Sequence, residues 1–474
     1  MKIFSKFPRT FWVANSIELF ERWAWYGFYM LFANYLTGSS DGGGLEFSQA
    51  QKGLLMGVGT GILYFLPSLT GAIADRYGYR RMLAVSFIIY AAAFLLFPMV
   101  SSFNAVFATY IFLAVGAALF KPIISATIAK TTDDSTSSVG FGIFYMIVNV
   151  GAFIGPLITM LFKSAPSIIF YISAGIILLN FILLIFYREP QRIKTSTSSE
   201  TLLKSFAQIF GNMAGIFKDV RFIVFLIIAA GFWTMYMQLF FTLPVFIEQW
   251  VDTGVLYRFF DTYMPVVSAN YSHAPGVINA EFVTNFDAMF IIIFQIAIST
   301  LIMRIKLLHA MIAGFIVCSV GMALTLFSQN VIFTIVAIFI FAVGEMAASP
   351  KITEYIGRIA PPDRKALYMG YSFIPVFLGN IFAGFISGNV YQAMSDKKLL
   401  TQRFAAEKGL HLADELSSGE YFNQVAAQSG MTPQQLTDTL WTTFNPSQIW
   451  LVILSIGMLA AVSLFVFDRK MMKQ

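Results

Sequence analysis

Charge is what this chain has least of. Asp, Glu, Lys and Arg make up 12% of its 474 residues, where soluble domains carry roughly 25%. A chain this long with so little charge cannot cover its surface in water, which excludes a soluble enzyme, a disordered chain and a nucleic-acid binder. Cysteine is nearly absent: Cys318 stands alone in an apolar run, so neither a disulfide framework nor a CxxC metal site is available. The three histidines, His273, His309 and His411, are far apart and supply no histidine metal cluster. No G-x-x-x-x-G-K-[ST] phosphate loop occurs, which speaks against an ATP-driven pump.

What is abundant is apolar. Hydrophobic residues reach 57% and aromatics 16%, with a mean hydropathy of +0.72. A bilayer crossing needs about 20 such residues. Twelve runs qualify: 11–37, 51–74, 82–102, 105–129, 140–162, 166–187, 220–248, 283–303, 308–327, 331–357, 366–391 and 448–468. Basic residues collect on one side, from Lys2, Lys6 and Arg9 through Arg76, Arg80, Arg81 and Lys130 to Arg469 and Lys470. The other side's short connections hold few, among them Lys163 and Arg258. That bias puts both termini in the cytoplasm. The first run is too long for a cleavable signal and lacks a small-residue cleavage site. The expectation is an all-α, multi-pass plasma-membrane protein, a bacterial inner membrane being the expected setting.

The chain divides in the middle. Residues 1–188 hold six runs, 189–219 a polar linker with an amphipathic stretch suited to the interface, and 220–474 six more. A six-plus-six plan is that of transporters built from two related bundles with a solute site between them, although receptors and channels share the hydropathy. The polar segment 392–446 carries Thr432-Pro433-Gln434-Gln435, a capping box with Pro at the first helical position. It is expected to form a helical hairpin on the periplasmic face.

Ionisable residues inside the first run are the most informative. Asn15, Glu18, Arg22, Trp25 and Tyr29 recur at three- and four-residue steps and share a helix face, with Glu21 and Tyr26 beside them. A charge at mid-bilayer costs roughly 2.5–3.5 kcal/mol on insertion scales, so these residues must face a polar cavity and pair. A purely structural ion network is the alternative. Lys121-Pro122 puts another cation in the fourth run. Arg22 cannot practically lose its proton, so the switchable members are the carboxylates, with Lys121 the further candidate.

Two families are resembled. Gly71-Ala72-Ile73-Ala74-Asp75-Arg76-Tyr77-Gly78-Tyr79-Arg80-Arg81 resembles the first cytoplasmic loop of the major facilitator superfamily, G-x-x-x-D-R-x-G-R-[RK]. The resemblance implies the major facilitator fold, twelve transmembrane helices in two six-helix bundles, and a gating role for Gly71, Asp75, Arg76, Gly78, Arg80 and Arg81. Asp75 is expected to pair with an Arg or a helix end. Glu18-Leu-Phe-Glu21-Arg22-Trp23-Ala24-Trp25-Tyr26-Gly27 and Phe144-Tyr145-Met146-Ile147-Val148-Asn149-Val150-Gly151 resemble signatures of the proton-dependent oligopeptide transporter family. Phe120-Lys121-Pro122, Tyr64 and Gly344-Glu345 with Ser349-Pro350 add to that likeness. By it, Tyr26, Tyr64, Lys121 and Asn149 would line one half of the solute cavity, with Lys121 at a peptide carboxylate. Glu345 would meet the amino end from the other half, and Glu18, Glu21, Arg22 and Lys121 would form the proton-linked cluster.

The chain also departs from that family. Tyr29 replaces a second first-helix arginine, and Phe232-Trp233-Thr234-Met235-Tyr236-Met237-Gln238 lacks the seventh-helix acid. Its Tyr-x-Gln pattern resembles the family's plant nitrate and peptide carriers, so Trp233, Tyr236 and Gln238 join the expected solute contacts. Asp287 is the candidate replacement acid, or else the eighth helix's outer cap. Lys351 and Glu354 are either an inner gate or a solvated helix end. The function expected is proton-coupled symport of di- and tripeptides by a monomer, without cofactor, metal, nucleic acid or catalytic chemistry; the partners are the solute, protons and lipid. Kept open are another solute (a nitrate-like anion, an amino-acid derivative or a drug) and a non-transporting sensor.

Overall fold

The computed structural model describes residues 6–133, 136–163, 165–190, 211, 219–360, 368–369, 371–410, 412 and 416–471. The expected linker with its amphipathic stretch lies almost wholly outside these.

Twelve spans follow in order: Arg9–Thr37, Gln49–Phe65 with Pro67–Tyr77, Tyr79–Leu96, Phe103–Lys130, Ser137–Thr159, Pro166–Phe186, then Val220–Tyr236, Phe286–Ile302, Leu307–Ala323, Val331–Ile359, Phe373–Phe385 and Ile449–Met471. Among the described residues ten helices are apolar and long enough to cross a membrane, and the pair bent by 44° in the second span makes eleven. The first span is 29 residues long, ample at about 1.5 Å per residue; what sets it apart is its ionisable face. Local chemistry fixes the ends. Ser48 and Gln51 form a capping box at the second span, and Pro67, with no N–H to donate, marks its bend. Gly78 turns into the third span with φ near +99°, which favours glycine.

The packing repeats six spans apart. Spans 1·5, 1·6, 2·4, 3·4 and 3·6 pack together in the first half, and 7·11, 7·12, 8·10, 9·10 and 9·12 in the second. The halves meet through 2·11 and 5·8, contacts that exchange under the same six-span shift, as expected of two related bundles. Ile182, Ile185, Ile296, Leu459 and Val462 point outward, where lipid would lie.

With twelve spans between them, Arg9 and Met471 lie on one side, called inner here. On the outer side the seventh span is extended by Gln238–Phe241 and Leu243–Trp250, and the eighth is preceded by Ala280–Thr284. Segment 392–446 forms three helices, Lys397–Glu407, Ser418–Gln428 and Pro433–Phe444, instead of the expected hairpin. Each has its own cap, at Asp396, Ser417 and Thr432, so the segment is cut into three at these points. The Thr432–Gln435 capping box with Pro433 is present.

Candidate functional site

The first-span charges form a closed set. Arg22 Nε lies 3.1 Å from Glu18 Oε1 and 2.5 Å from Glu21 Oε2, with all three residues buried. The Tyr90 hydroxyl donates to Glu21 Oε1 at 2.8 Å, so both oxygens of Glu21 are matched, as a carboxylate removed from water requires. Gly151 of the fifth span makes room for this. A Cβ there would stand 2.7 Å from Arg22 Cβ and 2.9 Å from the Leu19 carbonyl. The glycine of the fifth-span motif is thus where that helix crosses the arginine.

Lys121 does not join the set by a direct bond. Its Nζ stands 4.0 Å over the Tyr64 ring, a cation–π contact, and no carboxylate comes within ion-pair range of it among the described residues. The expected salt-bridge cluster therefore contains Glu18, Glu21 and Arg22, with Lys121 nearby and held by an aromatic face. Pro122 ties this region to the second span. Proline cannot donate to the carbonyl four residues back, and the freed Ala118 oxygen accepts from the Thr70 hydroxyl at 2.6 Å.

In the other half, Tyr236 donates to Glu345 Oε1 at 2.8 Å. Glu345 Oε2 and Asp287 Oδ1 are buried without a hydrogen-bond partner. Gly344 lets the tenth span press on the ninth, since a Cβ there would lie 2.4 Å from the Cys318 nitrogen. Asp287 does not cap its helix: the N-cap is Asn285, and no side chain caps there. Trp233 packs edge-on to Tyr236 at 4.9 Å, with its indole N–H unpartnered. Asn149 is half-buried and donates to the Tyr145 carbonyl at 2.8 Å. Tyr26 stands between the sets, one turn from Arg22, whose guanidinium carbon is 5.9 Å from its ring, and 6.5 Å from the Phe240 ring of the other half.

Two expected solute contacts are turned away. Gln238 is fully buried; its amide donates to the Thr234 carbonyl at 2.9 Å and the Ala383 carbonyl at 3.4 Å, and its oxygen accepts from the Thr242 hydroxyl. It satisfies the break in the seventh span. Tyr29 is packed between Trp25 and Phe240, and its hydroxyl meets Thr60 at 3.3 Å, which in turn meets Tyr110 at 2.8 Å.

On the inner side Asp75 accepts from the Tyr79 hydroxyl at 2.8 Å, and Lys130 donates to the same hydroxyl at 2.9 Å. A tyrosine thus bonds Asp75, a partner in addition to the expected arginine or helix end. Arg76, Arg80 and Arg81 are exposed, and Gly71 faces Pro122, to which a Cβ would come within 3.8 Å. Glu354 pairs with Lys351 at 2.7 Å and with Arg358. All three sit on one helix, which is the solvated-end pattern.

The outer side holds charges that sequence reasoning passed over. Lys163 lies 3.1 Å from both Glu248 and Glu281, and Asn34 donates to Glu281 Oε1 at 2.7 Å. Burial disfavours the Lys163 charge, but the two carboxylates outweigh it and raise its proton affinity. Lys52, wholly buried, donates to the Phe241 carbonyl at 2.9 Å. Gln49 donates to Asp396 at 3.1 Å. Glu46 accepts from the Ser40 and Ser418 N–H groups; burial works against its charge, yet these bonds hold its carboxyl below the usual range. Every one of these except the Ser40 bond joins the halves or docks the outer helices. All but the Lys52 contact lie around an outer cavity of about 1080 Å³. Lys163 had served only to set orientation, and Glu281 lies just ahead of the apolar run; no local pattern marked either.

Residues 16–384 match the model of the Major Facilitator Superfamily. The chain is 24% identical over 360 residues to a Na(+), Li(+), K(+)/H(+) antiporter of Planococcus maritimus, covering 71% of this chain and 81% of that one. It is 28% identical over 147 residues to the peptide transporter YePEPT of Yersinia enterocolitica, covering 30% of this chain and 29% of that protein. Among solved structures, a POT family transporter in complex with 5-aminolevulinic acid superposes with a TM-score of 0.70 at 16% identity, covering 98% of this chain and 96% of that one. At that identity the likeness speaks for the fold alone.

Proposed function

The chain belongs to the Major Facilitator Superfamily, and from that premise we propose that this membrane transporter carries di- and tripeptides together with protons by alternating access. One observation carries the reading: among the described residues Lys121 in one half has no carboxylate partner, while Glu345 in the other keeps one oxygen without a hydrogen bond. A cation and an anion left open in opposite halves suit the two ends of a zwitterion. The similarity to a peptide transporter supports the solute class. The Glu18–Glu21–Arg22 set places two carboxylates against a guanidinium that keeps its proton, which makes it the candidate proton-linked group. A potential of 100 mV adds about 2.3 kcal/mol per charge moved. The expected orientation, with cytoplasmic termini in a bacterial inner membrane, makes that movement inward.

The test is uptake of labelled dialanine into proteoliposomes, with the proton gradient directed inward, outward or absent. Accumulation only with the inward gradient is the expected result; accumulation independent of any gradient would remove symport.

A second reading has its own support. Gln238 is turned into its helix and the seventh span offers no acid, so the second half presents little beyond Glu345, Asp287 and aromatic faces. A short zwitterion would need no more, and a structure of similar fold is known with 5-aminolevulinic acid bound. Thermal stabilisation by aminolevulinate and not by any dipeptide would select this reading.

A further inference from the structure

We propose that the connection between the seventh and eighth spans is an interfacial foot, seated in the outer leaflet at the boundary of headgroups and acyl chains. Its two helices, Gly254–Tyr263 and Pro265–Asn270, lead into a small hairpin of Ser272–Ala274 with Val277–Ile278. One face is buried in the protein through Leu256, Phe260 and Ser268. The other is bare and apolar: Phe259 is 52% exposed, Tyr263 72%, Met264 51% and Val266 72%. Four bulky side chains so close together in sequence are not what a water-facing turn displays. The same side of the molecule supplies its own comparison. No large apolar side chain is exposed on the helices Lys397–Glu407, Ser418–Gln428 and Pro433–Phe444.

Continuity says what covers the bare face. Gly254–Tyr263 packs on the tenth span, and Asp252 bonds both ways to its outer end, donating to the Gln329 carbonyl at 2.6 Å and accepting from the Val331 N–H at 3.2 Å. Directly below, Ile332, Phe333 and Val336 are exposed on a helix that crosses the membrane. Phe260 and Tyr271 both pack on Phe282, at 5.7 and 4.8 Å, just ahead of the eighth span. That span exposes Ile292, Ile293 and Ile296. The foot therefore prolongs the lipid face of two spans. Tyrosine with its hydroxyl at the water boundary, and exposed Arg258 and Asp261 on the same helix, fit a helix buried about 5–10 Å into the leaflet. The connection joins the segments that carry Glu248 and Glu281, so lipid contact would steady the outer ends of both spans. None of this depends on which solute is carried.

Full-length protein in phosphatidylcholine–phosphatidylglycerol vesicles tests it. The chain's sole cysteine is buried, so spin labels can be directed to Tyr263→Cys and Val266→Cys, with Gln434→Cys on a water-facing helix as reference. All three positions are exposed, so the substitutions spare the core. Labels at 263 and 266 are expected to collide several-fold more with oxygen than with a water-soluble nickel chelate, and the reference label the reverse. Nickel access equal to the reference would place the face in water. Shielding from both reagents, with dipolar broadening between copies, would mean that a second copy covers it. Either result overturns the proposal.

Discussion

Lys163 and Glu281 form an ion pair across the two halves of the molecule, with Nζ 3.1 Å from Oε2 and Glu281 wholly buried. Lys163 follows the fifth span and Glu281 precedes the eighth, so parting the outer ends of these two spans would break the pair. Losing one partner of a buried pair costs about 3–5 kcal/mol, and the partial exposure of Lys163 puts this case at the low end. Lys163→Ala should therefore populate an outer-open state. Spin labels on Leu54→Cys and Phe385→Cys, both exposed and on opposite halves, should then show a second, longer distance. Lys163→Arg should not produce it. The sign with pH follows from the raised proton affinity of Lys163. Its contribution is full below the ordinary lysine value and is lost only as the pH climbs through the raised one. The longer distance should thus not grow in the unsubstituted pair between neutrality and about pH 9.

Gly53 is the closest approach of the second and eleventh spans. A Cβ there would lie 2.1 Å from the Gly384 carbonyl oxygen and 2.6 Å from Gly388 Cα, all backbone that cannot step aside. Overpacking of this kind costs about 1–3 kcal/mol, and the cost falls on the closed outer side alone. Gly53→Ala should open the same two-label distance and slow uptake by about tenfold, the factor that 1.4 kcal/mol represents. Gly61→Ala meets only side-chain atoms at 3.2 Å or more and should do neither. Equal uptake in the two variants would contradict this account.

How much of this was legible depended on cost. Glu18, Glu21, Arg22, Lys121 and Glu345 stood out because ionisable groups in apolar runs are expensive, and the structure does bury the first three as one bonded set. The outer contacts stayed hidden for the opposite reason. Lys163, Glu248 and Glu281 sit at span ends, where charge is cheap and common, so only their convergence from one turn and two short helices gives them meaning. Tyr90 was invisible because tyrosine is unremarkable in a span until its hydroxyl is seen on Glu21. The break after Tyr236, from which Gln238 takes its partners, belongs to backbone geometry that a Tyr-x-Gln spacing does not encode.

Glu345 separates binding from coupling. Glu345→Gln keeps an oxygen for the Tyr236 hydroxyl but removes the ionisable group. Gradient-driven accumulation of dialanine should fall to background, while counterflow of labelled against unlabelled peptide continues at a raised half-saturating concentration, because the anion for the peptide's amino end is gone. Tyr236→Phe keeps the carboxylate and removes its one bonded donor, so it should weaken uptake without abolishing gradient dependence. Full accumulation by Glu345→Gln would exclude this carboxylate from the proton pathway.

Gln238 decides whether the seventh span contributes packing or recognition. Its amide and carbonyl are bonded to Thr234, Ala383 and Thr242 with no solvent exposure. Gln238→Ala strands a hydroxyl and the carbonyls in a buried helix break, at about 1–3 kcal/mol for an unsatisfied group. The variant should melt several degrees lower in detergent, yet rank competing peptides and aminolevulinate as the unsubstituted protein does. Trp233→Ala, which removes a half-buried ring beside Tyr236, should reorder that ranking with a smaller loss of stability. A changed solute ranking in Gln238→Ala with no drop in melting temperature would mean that the side chain turns into the cavity during transport.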